Sequence, residues 1–328
     1  MSSREVMSTT RPSARARRVD PAVLSAFACI IVLLLLGGLY STSFFSPEYL
    51  LQQLQVASFL GLVATGMMLV ILLGHIDLSV PWVITAGGMM STAAVSWGGP
   101  WEYLAIPFGI CCGALFGAAN GIGVAYLRIP AMIFTLGINA VAQGLMVLRT
   151  GGFAPLDQAS AAMRFIATGR SLFGIPNAVL VWAMVGVAIV FVLIRTSFGR
   201  AVYAIGNSER AAYLSGCNTR RVVFWAFVMS GGLAGFAGVL LSGYSTKAYQ
   251  SMGDPYLLPA IAAVVLGGTS ILGGRGTYLG TVAGVILITL LQSILSVIQM
   301  PEAGRQIIYG AVIVAMLLVY GRGQRVEG

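Results

Sequence analysis

Apolar stretches of about 20 residues recur along nearly the whole of this 328-residue chain, and they contain very few charged side chains. A hydrocarbon core roughly 30 Å thick needs about 20 consecutive apolar residues for one helical crossing. Hydrophobic residues make up 58% of the sequence, charged residues make up 9%, and the mean hydropathy is +0.89. Soluble domains carry about 25% charged residues. The sequence therefore predicts an all-α polytopic membrane protein.

The apolar stretches predict about ten transmembrane helices in a single domain. Two of the stretches, 82–96 and 257–272, are short for a full crossing, so these helices are predicted to be broken or tilted. The ten predicted spans are 21–40, 52–73, 82–96, 101–127, 131–148, 176–194, 222–244, 257–272, 277–298 and 306–320.

The distribution of charge predicts the orientation of these spans. The five arginines that precede the first span place the N-terminus in the cytoplasm by the positive-inside rule, and ten crossings place the C-terminus there too. We expect a disordered basic cytoplasmic arm at 1–20, one transmembrane domain at 21–321 and a cytoplasmic tail at 322–328. Alternation then puts Arg128, the 195–221 loop, Arg275, Arg322 and Arg325 inside, and Glu48, Glu102, Asp157, Asp254 and Glu302 outside.

Several classes of function lack the residues that they require. A P-loop needs G-x-x-x-x-G-K-[ST], and the single lysine, Lys247, has no such frame. His75 is the sole histidine and Asp77 the one aspartate near a span, so protease sites are not expected. No cysteine spacing suits a metal. Membrane topology and contact with anionic lipid explain the net charge of +9 better than nucleic-acid binding does. We expect no enzyme activity, no metal and no cofactor in this chain.

Four motifs stand in a fixed order along the chain, and together they resemble the ribose-type permease subunits of bacterial ABC importers. The resemblance covers residues 56–319 and places the chain in the superfamily that also includes branched-chain amino acid permeases. The motifs are GHIDLSV at 74–80, NGIGVAYLRIPAMIFTLG at 120–137, YAIGNSERAAYLSG at 203–216 and AIAAVVLGGTSILGGRGT at 260–277.

The resemblance implies a type II importer fold with an inverted internal repeat, in the bacterial inner membrane. It implies that ATP and Mg²⁺ are bound by separate ABC ATPase subunits. It also implies a second permease copy or a paralogue, and a periplasmic sugar-binding protein that delivers substrate. An importer of this kind moves a monosaccharide by alternating access, without breaking a bond in it.

The loop at 196–221, here called the coupling segment, is the element that the resemblance assigns to ATPase contact. We predict a short helix that ends at Gly216, because glycine favours the C-terminal cap of a helix. An ordinary amphipathic loop is the alternative interpretation. The residues predicted to couple are Tyr203, Gly206, Ser208, Glu209, Arg210, Ala211, Ala212, Leu214, Ser215 and Gly216.

Asp77 follows the second predicted span, and two roles are open for it. Aspartate and serine favour helix caps and turns, so Asp77 and Ser79 predict local backbone hydrogen bonding. The functional alternative is a gate residue that pairs with an arginine such as Arg128 or Arg275.

Two polar stripes predict either a translocation path or hydrogen bonding between helices. Thr135, Asn139 and Gln143 recur at every fourth residue and share one helix face. Such a face should meet protein or water rather than lipid, and neutral amides and hydroxyls suit the hydroxyls of a sugar. The path candidates are Asp77, Asn120, Thr135, Asn139, Gln143, Thr269, Gln292 and Ser296, and Thr289 and Gln299 extend the second stripe.

The glycines predict close helix packing rather than phosphate binding. Gly231, Gly232, Gly235 and Gly238 form a predicted packing face. The glycine-rich stretch 267–276 predicts close packing or a broken helix beside the path.

The sequence thus favours a sugar-importing ABC permease subunit. An importer of a branched-chain amino acid, a nucleoside or a sugar alcohol is the alternative within this class. An ion-coupled secondary transporter is the competitor from another class, and the scarcity of charge in the spans argues against it.

Overall fold

The computed structural model describes residues 21–40 and 42–324, and this part of the chain is almost entirely helical. The predicted arm at 1–20 lies outside the described residues, as do the last four residues of the predicted tail. The helices are α1 (Pro21–Tyr40), α2 (Pro47–Leu72), α3 (Val80–Trp97), α4 (Pro100–Gly121), α5 (Ala131–Thr150), α6 (Ala161–Thr168), α7 (Asn177–Arg195), α8 (Ser197–Asn207), α9 (Glu209–Leu214), α10 (Thr219–Tyr244), α11 (Leu257–Leu266), α12 (Tyr278–Val297) and α13 (Glu302–Gln324).

Each of the ten predicted spans coincides with one of these helices. Within residues 21–40 and 42–324, six helices are long and apolar enough to cross a membrane: α2, α4 with the π-helical turn Ile122–Tyr126 that extends it, α5, α7, α10 and α12. The predicted span 257–272 is wrong at its end, because α11 stops at Leu266 and a glycine-rich stretch follows. Helix α13 runs to Gln324, so residues 322–324 of the predicted tail continue a helix.

Helix α2 shows how local sequence fixes the start of a long span. The Ser46 side chain accepts a hydrogen bond from the Tyr49 amide at 3.3 Å, and Pro47 occupies the first turn, where its missing N–H is no loss. Glu48 in the same turn complements the positive end of the helix dipole. From Ala57 to Leu72 every residue is buried, so α2 is the central helix of the domain.

Helices α3, α4 and α10 pack with their backbones in close contact, because glycines face one another where they meet. A methyl group added at Gly231 would overlap the Gly113 carbonyl, and one added at Gly235 would meet the Gly109 carbonyl. Small residues allow this approach within a membrane, where apolar side chains alone give little drive to associate. The predicted packing face is confirmed at Gly231, Gly235 and Gly238, but at Gly232 an added methyl group would make only an ordinary contact with Ala114.

The two adjacent glycines provide a matched test of this packing. Gly231→Ala is expected to lower the free energy of unfolding by about 1–3 kcal/mol, because the methyl group has to force two helices apart. Gly232→Ala meets its nearest side-chain atom at 3.7 Å and is expected to be neutral or slightly stabilising. Thermal unfolding of both variants in detergent measures the difference, and equal melting temperatures would contradict the packing role of Gly231.

Two of the non-helical segments adjoin the short predicted spans. The first, here called the Asp77 segment, comprises residues 73–79 and connects α2 to α3. Its Asp77 reaches Ser230, near the middle of the 26-residue helix α10, so α3 begins about halfway along α10 rather than at its end. The second, here called the glycine-rich segment, comprises residues 267–277 between α11 and α12. The predicted span 257–272 is thus broken after Leu266, whereas 82–96 lies within α3, an unbroken helix of 18 residues.

The loops at the end of the molecule opposite the coupling segment at 196–221 form a small separate layer. Helix α6 and the antiparallel strands β1 (Arg170–Leu172) and β2 (Ile175–Pro176) lie between α5 and α7, and the sequence analysis did not predict them. The Ala159 amide donates to the Thr246 carbonyl at 2.9 Å. An ion pair between Arg149 and Asp157, 3.8 Å apart, lies in the same layer.

Candidate functional site

The coupling segment folds into two short helices, α8 and α9, where the sequence analysis predicted one. Thr196 caps α8 by accepting a hydrogen bond from the Gly199 amide at 3.2 Å. Ser208 caps α9 in the same way, from the Ala211 amide at 3.3 Å. Helix α8 escaped prediction because Gly199 and Gly206 lower its intrinsic helix propensity, and its packing against the membrane domain compensates.

Gly216 ends α9 as predicted. Its φ of +84° lies in the left-handed region that favours glycine. The Gly216 amide donates to the Tyr213 carbonyl at 2.9 Å, and the Cys217 amide donates to the Ala212 carbonyl at 3.0 Å. This pair of hydrogen bonds is the Schellman motif, and it confirms the predicted helix and its glycine cap.

A groove with a volume of about 490 Å³ separates α8 from α9, and mostly small side chains line it. Beside the groove, the apolar side chains of Tyr213 and Leu214 are 67% and 77% exposed. Exposed apolar residues next to a concave surface are typical of a protein-binding site. Of the predicted coupling residues, Ser208, Ala211, Ala212, Ser215 and Gly216 line the groove, while Glu209, Arg210 and Leu214 are exposed outside it.

The other predicted coupling residues face the membrane domain instead. The Tyr203 hydroxyl donates to the Gly276 carbonyl at 3.0 Å. Burial raises the pKa of Tyr203, which keeps this hydroxyl protonated as a donor. A methyl group at Gly206 would overlap both the Leu72 carbonyl and the Gly274 amide, and these two groups are themselves hydrogen-bonded at 2.9 Å.

Helix α8 thus touches the last residue of α2, directly before the Asp77 segment, and the glycine-rich segment. Asn207, which the sequence did not indicate, adds a hydrogen bond from its amide to the Gly274 carbonyl at 3.3 Å. The signal that could have identified this contact is Gly206, because a glycine inside an amphipathic helix often marks close backbone approach. A displacement of α8 is therefore applied directly to the end of α2 and to the glycine-rich segment.

Asp77 is the centre of a buried polar cluster between the Asp77 segment, α4 and α10. Its carboxylate accepts hydrogen bonds from the Ser79 amide at 2.9 Å and the Ser79 hydroxyl at 2.6 Å. The Asn120 amide lies 3.4 Å from it and donates to the Ser79 hydroxyl at 2.7 Å, and the Ser230 hydroxyl donates at 3.5 Å. The local bond to Ser79 is an Asx-type turn, so the predicted turn role of Asp77 is confirmed.

The predicted pairing of Asp77 with an arginine is not present in this structure. Within the described residues the ion pairs are Arg149–Asp157 and Arg305–Glu302. Asp77 is 1% exposed, and hydroxyl and amide donors hold its carboxyl group in place of a cation. The Asn120 carbonyl oxygen in this cluster has no hydrogen-bond partner within the described part of the chain.

On α5, two residues of the predicted polar stripe accept hydrogen bonds from the backbone at the start of α3. The Thr135 hydroxyl accepts a hydrogen bond from the Leu78 amide at 2.9 Å, and the Asn139 carbonyl accepts one from the Trp82 amide at 3.3 Å. Both amides lie at a helix N-terminus, where no intrahelical acceptor is available. Interhelical hydrogen bonding, the alternative interpretation of this stripe, therefore accounts for Thr135 and Asn139. Gln143, one turn further on, is exposed.

The remaining path candidates lie on other elements. Thr269 in the glycine-rich segment is fully buried, and its hydroxyl has no hydrogen-bond partner within the described residues. On α12, Gln292 is half-buried and Ser296 is exposed, while Thr289 donates to the Val285 carbonyl of its own helix at 2.9 Å. Helix α12 packs against α1, α2 and α11, whereas α5 packs against α3 and α4. The two stripes therefore do not form one continuous face in this chain.

A larger cavity of about 870 Å³ lies between α9 and the Asp77 segment. Three arginines and one glutamate border it, so the surface beside α9 is positively charged. The sequence analysis assigned no role to His75, which also lines this cavity. The charged and titratable lining residues are His75, Arg128, Glu209, Arg210 and Arg220.

Long apolar helices define a polytopic membrane protein, in which the exposed α8 contacts the end of α2 and the glycine-rich segment. Residues 49–317 match the family described as the permease component of branched-chain amino acid transport systems. The chain belongs to this family. The match contains all four motifs and agrees with the range predicted from them.

The chain is also similar to curated permeases over most of its length. It is 33% identical to the ribose import permease protein RbsC of Haemophilus influenzae over 298 residues, which cover 89% of this chain and 91% of that protein. It is 34% identical to RbsC of Bacillus subtilis over 297 residues, covering 90% and 92%. It is 33% identical to the autoinducer 2 import system permease protein LsrC of Yersinia pestis over 306 residues, covering 91% and 84%.

Proposed function

We propose that this chain is the inner-membrane permease subunit of an ATP-driven importer for a monosaccharide, with ribose-like pentoses as the first substrate class. ATP and Mg²⁺ belong to separate ATPase subunits, and a periplasmic binding protein delivers the sugar. The contacts of α8 with the last residue of α2 and with the glycine-rich segment carry this proposal, because they link an exposed docking helix to the end of one span and to the break in another.

In this proposal the ATPase binds the groove between α8 and α9 and the exposed side chains of Tyr213 and Leu214. Nucleotide-driven closure then moves the coupling segment as a rigid body, a common form of switching transition. The movement reaches the Asp77 segment through Gly206 and Leu72, and the glycine-rich segment through Tyr203 and Gly276. Substrate is moved by alternating access and is not chemically changed.

The packing of the loops supports ten crossings with both termini in the cytoplasm. The coupling segment, residue 72 and the glycine-rich segment with Arg275 meet at one end of the molecule, which the topology places inside. The 150–160 and 245–250 loops, which the topology places outside, meet at the other end, where Gln250 donates to the Phe153 carbonyl at 3.1 Å.

The exposed face of α5 supports a path between two permease copies, identical or paralogous. Gln143 is exposed on this face, and an unpaired amide in hydrocarbon costs several kcal/mol, so the face should meet water or protein. Gly137 and Gly144 have no atom near enough to contact an added methyl group, so there is room for a partner helix. We place the sugar path along Gln143 and Asn139, and Asp77 and Asn120 support it from behind.

The substrate class rests on the names of the relatives and on the uncharged character of the α5 stripe. The similarity to LsrC favours autoinducer 2 as a second candidate of the same class. A branched-chain amino acid, a nucleoside or a sugar alcohol remains the alternative within this architecture. An ion-coupled carrier is the alternative without an ATPase, and it would take up substrate without ATP.

The test is uptake into vesicles that contain this chain, its ATPase and its binding protein, with labelled pentoses, hexoses, polyols and branched-chain amino acids. Glu209→Arg is expected to lower ATP-dependent uptake of the sugar at least about tenfold, since charged pairs at an interface set docking geometry. Arg170→Glu, a charge reversal on the exposed β1, is the matched control and should retain uptake. Uptake that is indifferent to ATP, or amino acid uptake alone, would overturn the proposal.

A further inference from the structure

A second polar cavity, with a volume of about 250 Å³, lies at the start of α11 and α13. It lies apart from the coupling segment, and the path described above does not use it. Carboxylates of Asp254 and Glu302, the Gln306 amide and Tyr309 line it, and the remaining lining is proline and leucine. Side chains that accept and donate hydrogen bonds thus surround the apolar floor of the cavity.

Tyr309 is the most deeply buried of the polar residues that line this cavity. It is 2% exposed, and its hydroxyl has no hydrogen-bond partner of good geometry among the described residues. Gln292 of α12 lies near this hydroxyl, outside that geometry. A buried hydroxyl without a partner is costly, and such groups in native proteins usually have a ligand or water to satisfy them. The predicted path candidate Gln292 therefore belongs beside this cavity.

The cavity adjoins the start of α3. Pro81 lines it, and the next residue, Trp82, donates its amide to Asn139 of the proposed path. Gly253 holds the other side, packed against the Pro81 carbonyl with its amide donating to the Thr85 hydroxyl at 3.3 Å. Asp254 and Glu302 are exposed, and carboxylates are not stable against lipid, so the mouth of the cavity faces water.

We propose that this cavity is a subsite that takes a small neutral polyol as it enters the permease from the outer side. The inference rests on the proposed function and adds a location to it. Hydroxyl groups of the ligand would donate to Asp254 and Glu302 and exchange hydrogen bonds with Gln306 and Tyr309, while its C–H faces lie on proline and leucine. Glu302 is held in position by Arg305, whose side chain approaches its carboxylate to 3.5 Å.

A metal ion fits the lining less well than a polyol. Glu302 is already paired with Arg305, and the described residues contain no group of three or more acidic, histidine or cysteine side chains that could hold a metal ion. A tyrosine hydroxyl and an amide are weaker ligands than the carboxylates that divalent cations prefer. The same lining matches the mixture of hydroxyl and C–H surface that a polyol offers.

Tyr309→Phe tests the proposal in the assembled transporter. Because the hydroxyl has no hydrogen-bond partner of good geometry among the described residues, its loss should leave the melting temperature unchanged or slightly higher, yet raise the KM for sugar uptake roughly tenfold, as for one lost ligand hydrogen bond. Tyr103→Phe, at a tyrosine that is 87% exposed on α4, is the control and should alter neither value. Unchanged KM in Tyr309→Phe, with sugar uptake intact in the parent chain, would refute the subsite and leave the proposed function standing.

Cysteine labelling tests occupancy without the ATPase. In a cysteine-free background, Gln306→Cys should react with a membrane-impermeant maleimide from the outer side, and a high concentration of ribose should slow this reaction at least about fivefold, as binding energies of this order predict. Phe173→Cys, at a residue 94% exposed between the two strands, should label at the same rate with and without ribose. Protection by Ca²⁺ or Mg²⁺ alone, protection by neither, or no labelling from the outer side would each overturn the polyol subsite.

Discussion

Gly206→Ala is expected to reduce ATP-dependent uptake at least about a hundredfold, although it adds a single methyl group. In a free helix this change would be stabilising by roughly 0.5–1 kcal/mol. Here the methyl group would overlap the Leu72 carbonyl and the Gly274 amide, which are backbone groups and cannot rotate away. Helix α8 would have to move away from the membrane domain. The hydrogen bonds of Tyr203 and Asn207 to the glycine-rich segment would then break. Uptake and ATP hydrolysis by the reconstituted complex measure the effect.

Three readouts separate this uncoupling from simple unfolding. Gly232→Ala makes the same chemical change in a helix with room for it, so it should transport like the parent chain. The Gly206→Ala chain should still insert and still bind the ATPase, because Gly206 does not line the α8–α9 groove. Normal uptake by Gly206→Ala would show that α8 does not transmit movement through this contact.

Asp77→Leu is expected to destabilise the chain by about 3 kcal/mol or more. The change removes the acceptor for the Ser79 amide, the Ser79 hydroxyl and the Ser230 hydroxyl, all of which are buried. Each buried donor left without a partner costs about 1–3 kcal/mol. The Asp77 segment would lose its turn, and α3 would lose its fixed starting point. Thermal unfolding and the yield of folded protein in detergent measure this loss.

Asp77→Asn separates the hydrogen bonds from the charge. The amide oxygen of asparagine still accepts from Ser79, so this variant should keep most of the stability that Asp77→Leu loses. Asp157→Leu is the control, since its ion pair with Arg149 is partly exposed and should be worth less than about 1 kcal/mol. If Asp77→Asn were as damaging as Asp77→Leu, the negative charge itself would be essential and the hydrogen-bond account would be wrong.

Much of the helical framework was predictable from hydropathy, because a helix is the structure that satisfies a lone apolar segment in lipid. The predicted spans coincide with helices, and the errors of prediction fall at helix ends, where glycine or capping residues determine the boundary. The prediction of span 257–272 was wrong after Leu266, because a hydropathy count treats glycine as apolar and ignores the turns that glycine permits. The layer of α6 and the two strands was missed because α6 packs against α10 and α7, and contacts with distant helices leave no local pattern in the sequence.

The sequence identified residues of the candidate site, but not the groups with which they form hydrogen bonds. Periodicity placed Thr135 and Asn139 on one face of a helix, but the reason for that face is the pair of free amides at Leu78 and Trp82, 57 positions earlier in the chain. Similarly, Asn207 lies within a motif, but its hydrogen bond exists only because Gly274 lies beside it in the folded chain.

The sequence by itself determined the membrane location, the helical class, the family, the glycine cap of α9 and the turn at Asp77, because each depends on composition or on residues close together in the chain. Tertiary structure alone decided that α8 contacts the end of α2 and the glycine-rich segment, that hydroxyl and amide groups surround Asp77 in place of an arginine, and that Tyr309 borders a polar cavity. These features join residues that are far apart in sequence, and backbone packing and buried hydrogen bonding select such pairs only in the folded chain.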